Sequence, residues 1–195
     1  LALERMGRLA EAEAAGAEAV SRARDDARPM LLWGVVALKR EDPEVAEGRL
    51  AKARELFGAR PVPPLWFWAA ALAAGSAGDM ARGVAIAQEG VAAWPHHPVL
   101  RNNLAVLLEA TGDVAEAERV LRAALAEEPS LPQLSKNLGD LHYRAGRYED
   151  ARQRLTAPPS WRPTSATTST SSWATSPSAS VTGTARVTAG AAPRS

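Results

Sequence analysis

The sequence contains no cysteine, which excludes a disulfide framework, a thiol nucleophile and a cysteine-based zinc site. Aromatic residues make up only 5% of the chain, and its formal net charge is +1. Because a charge this close to neutral provides no basic surface, we predict no nucleic-acid partner. No apolar run reaches the roughly 18 residues that a membrane-spanning helix needs, so no membrane span is predicted in this chain. Cytoplasm is the default localisation.

The sequence also lacks the patterns of known catalytic chemistry. It contains no Ser-His-acid set, no HExxH pattern and no glycine loop that would cradle a phosphate. We therefore predict that the chain is not an enzyme and that it uses no cofactor and no metal. His96 and His97 lie between two prolines, where a metal site would need a third ligand from elsewhere, so a solvated loop is favoured. His142 is predicted to be a core or boundary histidine.

Three glycines, Gly78, Gly112 and Gly146, are equally spaced along the chain. Each is followed by a polar or charged residue and then by an alanine-containing apolar run. Their interval of about 34 residues is typical of arrays of helix-turn-helix repeats, in which each repeat needs a neighbour to bury its apolar face. We therefore expect the function to lie on a surface that several repeats form together.

The unit that starts at Pro98 shows how one repeat is built. Apolar residues recur at three- and four-residue steps on both sides of Gly112, which predicts two amphipathic helices. Gly112 is free to take the left-handed conformation that closes a helix, and Asp113 is placed to cap the next one. The apolar positions are Leu100, Leu104, Leu107 and Leu108 on the first helix, and Ala117, Val120, Leu121, Ala124 and Leu125 on the second.

Charged residues alternate along the same second helix. Such a pattern is typical of a solvated face that carries weak ion pairs. The residues are Glu116, Glu118, Glu127 and Glu128 with Arg119 and Arg122.

These features resemble the tetratricopeptide repeat (TPR) family, whose unit of about 34 residues carries a Leu-Gly pair, a turn glycine, two spaced alanines and a late proline. The matching residues here are Leu138-Gly139, Gly112, Ala117, Ala124 and Pro129. The resemblance covers residues 1–155. It implies an all-α fold, a right-handed superhelical solenoid of stacked antiparallel helix hairpins. The composition of the remaining residues, described below, predicts a disordered C-terminal tail after it.

The repeat spacing divides the chain into six segments. The chain begins in mid-unit with Leu1, so we expect an N-terminal truncation, and the natural N-terminus could carry an export signal. The segments are a partial repeat at 1–26 (its second helix), a degenerate repeat with a Pro-rich joint at 27–63, repeats at 64–97 and 98–131, a truncated repeat at 132–155, and a tail at 156–195.

The tail differs from the array in composition. It contains no Asp or Glu and is dominated by Ser, Thr, Ala and Pro, so it cannot bury enough apolar surface to offset its ordering entropy. Two explanations are open. A shifted reading frame is favoured, because the shifted codons can spell the rest of the interrupted helix and a further Leu-Gly unit at repeat spacing. A natural Ser/Thr-rich disordered segment is the alternative.

The resemblance further implies that the first helices of successive repeats line a concave groove, which we call the first-helix groove, and that a partner segment lies along it. The function predicted first is a noncatalytic scaffold that binds a peptide or a partner protein there. The alternative is a structural spacer or regulatory module of a larger protein. No oligomeric state is predicted. The groove positions are Leu31, Val35, Leu65, Trp68, Leu72, Asn102, Asn103, Val106, Lys136, Asn137, Asp140, Tyr143 and Arg144.

Some of these residues also have a structural interpretation. Trp68 follows Trp66 and Phe67 directly, so at least one of the three must point into the core. Asn103 and Asn137 recur at the repeat interval and could bond within or between repeats. A basic clamp for a terminal carboxylate, as in chaperone-binding members of the family, is disfavoured because Trp68 and Leu72 stand where charge or amide would be needed.

Overall fold

The computed structural model describes residues 8–156, with side chains to residue 153, and this part of the chain forms nine α-helices and no strand. The predicted all-α class is therefore confirmed. Apart from Thr156, which ends the last helix, the expected tail at 156–195 lies outside the described residues. The helices are α1 (Leu9–Arg22), α2 (Ala27–Lys39), α3 (Pro43–Phe57), α4 (Pro64–Ser76), α5 (Met80–Ala93), α6 (Pro98–Ala110), α7 (Val114–Glu127), α8 (Pro132–Arg144) and α9 (Tyr148–Thr156).

Local chemistry sets the helix ends. Three first helices begin at a proline, where the missing N–H would have no partner in any case. Three second helices are capped by an aspartate whose carboxylate accepts from the backbone N–H three residues later, at 3.0–3.3 Å. The predicted cap at Asp113 is confirmed by its bond from the N–H of Glu116. The other two aspartates are Asp42 and Asp79.

The turns between paired helices use left-handed backbone. Gly78, Gly112 and Gly146 have φ angles of +95°, +90° and +74°, so the left-handed conformation predicted for Gly112 is confirmed and the other two glycines share it. In the hairpin without a turn glycine, Glu41 takes this conformation instead, with φ of +59°. A side chain there costs about 1–2 kcal/mol, which fits the degenerate character of that repeat.

Each helix packs against its neighbours in sequence, and α2, α4, α6 and α8 also contact one another in series. Two apolar clusters result. One joins Leu50, Phe67 and Leu100, and the other joins Leu121 and Leu138 with their neighbours. Because both clusters contain residues from successive hairpins, the stacking of repeats buries the apolar faces, as the resemblance implies.

The first helix is held to the next hairpin by polar contacts. Trp33 Nε1 donates to Glu13 Oε1 at 2.9 Å, and the guanidinium of Arg49 pairs with Glu13 and lies 3.7 Å from the centre of the Trp33 ring. The hydrogen bond from Arg49 is the main cause that holds the pKa of Glu13 below its ordinary value. These contacts join three helices at the N-terminal side of the described chain.

Candidate partner-binding groove

The contacts between first helices define the candidate site. Among the described helices, the second helices pack mainly against the helices before and after them in sequence, whereas each first helix also reaches the next first helix. Elements that approach one another more closely lie on the inner side of a curved stack. The first-helix groove is therefore the surface of α4, α6 and α8 on that side.

Four aliphatic side chains are exposed on two adjacent first helices. Leu65 and Leu72 lie two turns apart on α4, and Val99 and Val106 lie one repeat interval later on α6. Between 36% and 51% of each residue is accessible. The repeat spacing places them at corresponding positions, so together they form an apolar patch across two helices.

Two residues predicted for the groove lie in the core. Leu31 and Val35 on α2 are only 3% and 4% exposed and pack with Leu50 and Phe57. The groove prediction is wrong for both, because α2 turns this face toward α3 and α4.

The aromatic run at the start of α4 is mostly structural. Trp66 and Phe67 are buried, and Trp66 Nε1 donates to the carbonyl of Leu50 at 2.8 Å. Trp68 is half-buried and packs against the same core cluster. Only part of Trp68 is therefore accessible at the surface.

Amide side chains bind one another across the junction of α6 and α8. Asn137 Nδ2 donates to Asn102 Oδ1 at 2.7 Å, and Gln133 Nε2 donates to Asn137 Oδ1 at 2.8 Å. Asn103 is half-buried, and its buried Nδ2 has no hydrogen-bond partner within residues 8–153. Asn102 and Asn137 thus have a structural role whether or not a partner is present.

The cations predicted for the groove are neutralised by neighbouring carboxylates. Lys136 Nζ lies 2.5 Å from Asp140 Oδ2, and Arg144 Nε lies 2.9 Å from Glu109 Oε1. Glu109 was not predicted, because Gly75 and Tyr143 occupy its place in the adjacent repeats and no recurrence marks it. We call the part of the groove formed by the polar positions of α6 and α8 its polar half. With both cations paired with a carboxylate, these ionic groups of the polar half balance one another.

Tyr143 is the most exposed of the predicted groove residues with a bulky apolar side chain, at 62%. Its ring meets Tyr148 of α9 edge to face, with 5.4 Å between ring centres. The two rings place an exposed aromatic pair at the C-terminal end of the groove.

Glu118 is an exception to the solvated face with weak ion pairs that was predicted for α7. Its side chain is 15% exposed, and its carboxylate accepts from Arg147 at 2.6 Å, pairs with Arg122 at 2.6 Å and lies 3.2 Å from Nε2 of the buried His142. Burial raises the pKa of Glu118, but the hydrogen bonds from Arg147 and His142 outweigh it together with the arginine charges, so the net pKa is lowered. Stacking of the last hairpin onto α7 supplies two of these partners.

Acid should weaken this junction. Because the pKa of Glu118 is lower in the folded than in the unfolded chain, its ionised form stabilises the fold above about pH 4 and the contribution is lost as the pH falls through the folded value. We expect Glu118→Gln to lower the urea midpoint at about pH 6 and to change it much less at about pH 3. An equal loss at both pH values would contradict a role for the carboxylate charge.

His142 lies in the core as predicted, with 1% exposure. His96 is on the surface, and its Nδ1 lies 2.9 Å from Glu127 Oε2, so this residue pairs with a carboxylate. Within residues 8–156 no three His, Asp or Glu residues come close enough together to hold a metal ion. No helix in that same range is long and apolar enough to cross a bilayer.

Solved structures with the same fold are numerous. The MamA protein of Desulfovibrio magneticus RS-1, from its residue 41 onward, is 17% identical with a TM-score of 0.65, and the match covers 79% of this chain and 85% of that one. TTC0263, a thermophilic TPR protein in Thermus thermophilus, is 18% identical with a TM-score of 0.66 and coverages of 78% and 82%. YrrB, described as a TPR protein with an unusual peptide-binding site, is 18% identical with a TM-score of 0.58 and coverages of 78% and 77%. No curated protein matches the sequence.

The stacked hairpins define a helical-repeat protein. Two family models, both described as tetratricopeptide repeat, match this sequence, one at residues 31–98 and the other at residues 76–133 and 112–167. Together they span more than half of the 195 residues. The chain belongs to the tetratricopeptide repeat family.

Proposed function

We propose that this chain is a noncatalytic scaffold that binds a peptide or an extended segment of a partner protein along the first-helix groove. The observation that carries the proposal is the apolar patch of Leu65, Leu72, Val99 and Val106. The four exposed aliphatic side chains lie at corresponding repeat positions on two helices that contact each other, whereas scattered exposed apolar residues need no such explanation.

The energy that this patch can supply sets the expected affinity. Full burial of a valine or leucine contributes about 1.5–3 kcal/mol, and since each of these side chains is already partly covered, roughly 1 kcal/mol remains for each. Four such anchors give about 4 kcal/mol, which alone corresponds to about millimolar binding. Micromolar binding therefore needs further contacts from the polar half of the groove.

The polar half favours an uncharged segment over a terminal carboxylate. Lys136 and Arg144 already have carboxylate partners, so capture of an anion would break an existing ion pair. Amide and backbone groups of a peptide can instead bond with the edges of Asn102 and Asn137. The peptide-binding site ascribed to YrrB, which has the same fold, supports a peptide as the class of partner.

A displayed library of random dodecapeptides, selected against the full chain, tests the proposal. We expect the selected peptides to be rich in apolar residues. The double variant Leu72→Lys, Val106→Lys should bind them at least about tenfold more weakly, because two anchors are lost and a charge must be covered. Fluorescence anisotropy of a labelled peptide measures the affinity.

Val45→Lys is the matched control, since Val45 is 40% exposed on the second helix α3, away from the groove. The Val45→Lys variant should bind the selected peptides with the same affinity as the unmodified chain. Equal binding by the control and the double variant would contradict the groove and favour a spacer or regulatory module.

A further inference from the structure

A cleft of about 400 Å³ opens beside Val106, and we call it the Val106 cleft. It lies between the end of α6, the start of α7 and the end of α8. Its walls are mainly aliphatic, and one charged pair lies in its lining. The lining includes Val106, Glu109, Ala110, Val114, Leu141 and Arg144.

The charged pair leaves the cleft without net charge. Arg144 Nε lies 2.9 Å from Glu109 Oε1, and the Glu109 side chain is only 15% exposed. A charged guest would lose its hydration there and would compete with a formed ion pair, which is unfavourable. An apolar guest would displace water from aliphatic walls without breaking this pair.

One repeat earlier, a methionine of the chain lies at the corresponding position, with 39% of the residue exposed. Met80 stands one repeat interval before Val114, and its Sδ lies 3.4 Å from the position that a Cβ on Gly75 would take. The Cδ2 of Leu107 lies at the same distance from that position, so a thioether packs there between two first helices. Val114 is shorter than methionine and cannot reach as far.

In the later repeat, Glu109 occupies the position that Gly75 has in the earlier one. The carboxylate of Glu109 pairs with Arg144 and does not replace the methionine side chain. An opening therefore remains where the earlier repeat holds a methionine side chain. The size and lining of the opening suit an unbranched or singly branched apolar side chain together with part of the backbone that carries it.

We propose that the Val106 cleft receives one methionine or leucine side chain of the bound segment and so fixes the register of that segment in the groove. This inference rests on the proposed function. Val106 belongs both to the apolar patch and to the cleft lining, so a segment on the patch reaches the cleft without leaving the groove.

Filling the cleft from within tests the inference. Val114→Met places at the cleft the side chain that Met80 supplies one repeat earlier, and Ala110→Met adds the same side chain from another residue of the lining. Peptides selected by the full chain should carry Met or Leu at one fixed position, and alanine there should weaken binding about tenfold. In both variants binding should fall about tenfold, and the preference for Met or Leu over Ala at that position should disappear.

Ala123→Met is the matched control, because Ala123 is exposed on α7 and does not line the cleft. It should leave both the affinity and the preference unchanged. Circular dichroism checks that each variant is folded, and Ala110→Met keeps the test available if Val114→Met unfolds, since position 110 lies at the end of its helix.

The outcomes separate this inference from the proposed function. If the variant with lysines at positions 72 and 106 loses binding but both cleft-filling variants bind as tightly and as selectively as the unmodified chain, the cleft proposal is overturned and the groove stands. If the selected peptides share no apolar residue at a fixed position, the cleft proposal is also overturned. If the lysine variant binds normally, the groove itself fails.

Discussion

Leu138→Ala is expected to lower the free energy of unfolding by about 2–5 kcal/mol. Leu138 is 0% exposed at the centre of α8 and belongs to the core cluster that includes Leu104, Leu121 and Leu141. Removal of its branched end leaves a cavity among atoms from three helices, and the neighbouring backbones cannot all move inward to fill it. The stacking of the last hairpin therefore loses a main apolar contact.

The loss should be local, because the stability of a repeat array is approximately a sum of repeat and nearest-neighbour terms. Hydrogen exchange should show reduced protection in α7 to α9 and little change in α2 and α3, while urea unfolding followed by circular dichroism gives the free energy. Leu72→Ala, at a leucine that is 36% exposed, should cost less than about 1 kcal/mol. Similar costs for the two substitutions would contradict the assigned core.

Gly90→Ala should destabilise the chain by about 1–3 kcal/mol, although alanine is the better helix former. A Cβ at this position would lie 2.7 Å from Phe67 Cβ and 2.9 Å from Phe67 Cγ. Those atoms are close to the α4 backbone and cannot rotate away as the tip of a side chain could. Phe67 is also 3% exposed and meets the Trp66 ring edge to face, so α4 and α5 would have to separate.

Gly48→Ala gives the opposite expectation at a matched site. Gly48 lies within α3, and a Cβ there would meet no heavy atom within 4 Å. The same substitution should therefore stabilise the chain by roughly 0.5–1 kcal/mol through helix propensity alone. Urea midpoints of the two variants give the comparison, and a gain in stability for Gly90→Ala would mean that α4 and α5 are not in close contact.

Features that lie within one repeat were predictable from the sequence. The positive φ of Gly112, the cap at Asp113 and the apolar stripe that includes Leu121 follow from turn chemistry and helical period, which need no knowledge of the neighbours. The recurrence of these signals at a constant interval then indicated the stacked architecture. The burial of His142 followed from its place on the first helix of such a unit.

Features that depend on how one hairpin is rotated against the next were not predictable. The repeat alignment placed Leu31 and Val35 in the groove. In the structure the degenerate hairpin of α2 and α3 is rotated so that both side chains lie in the core. The sequence of its own helix predicts that Glu118 is solvated. It is covered only because His142 and Arg147 of the next hairpin pack over it. Asn137 was matched with Asn103 by the repeat interval, but it donates to the neighbouring Asn102. This pairing also depends on how one hairpin is rotated against the next.

The polarity of the groove was predicted only in outline. The predicted groove positions pass from apolar residues on α4 to mainly polar residues on α6 and α8, and Leu65, Leu72 and Val106 are exposed in the structure. Whether Lys136 and Arg144 are free to bind an anion depends on side chains that meet them in space, and no periodic signal marks Glu109.

The most direct test of the central claim is hydrogen exchange of the full chain with and without a saturating selected peptide. A segment bound in the first-helix groove should slow exchange in α4, α6 and α8 and leave α3 and α5 nearly unchanged, with α7 affected only in its first turn, where Val114 lines the Val106 cleft. Slower exchange confined to α3, α5 and α7 would contradict the account, since the peptide would then lie on the opposite surface of the array.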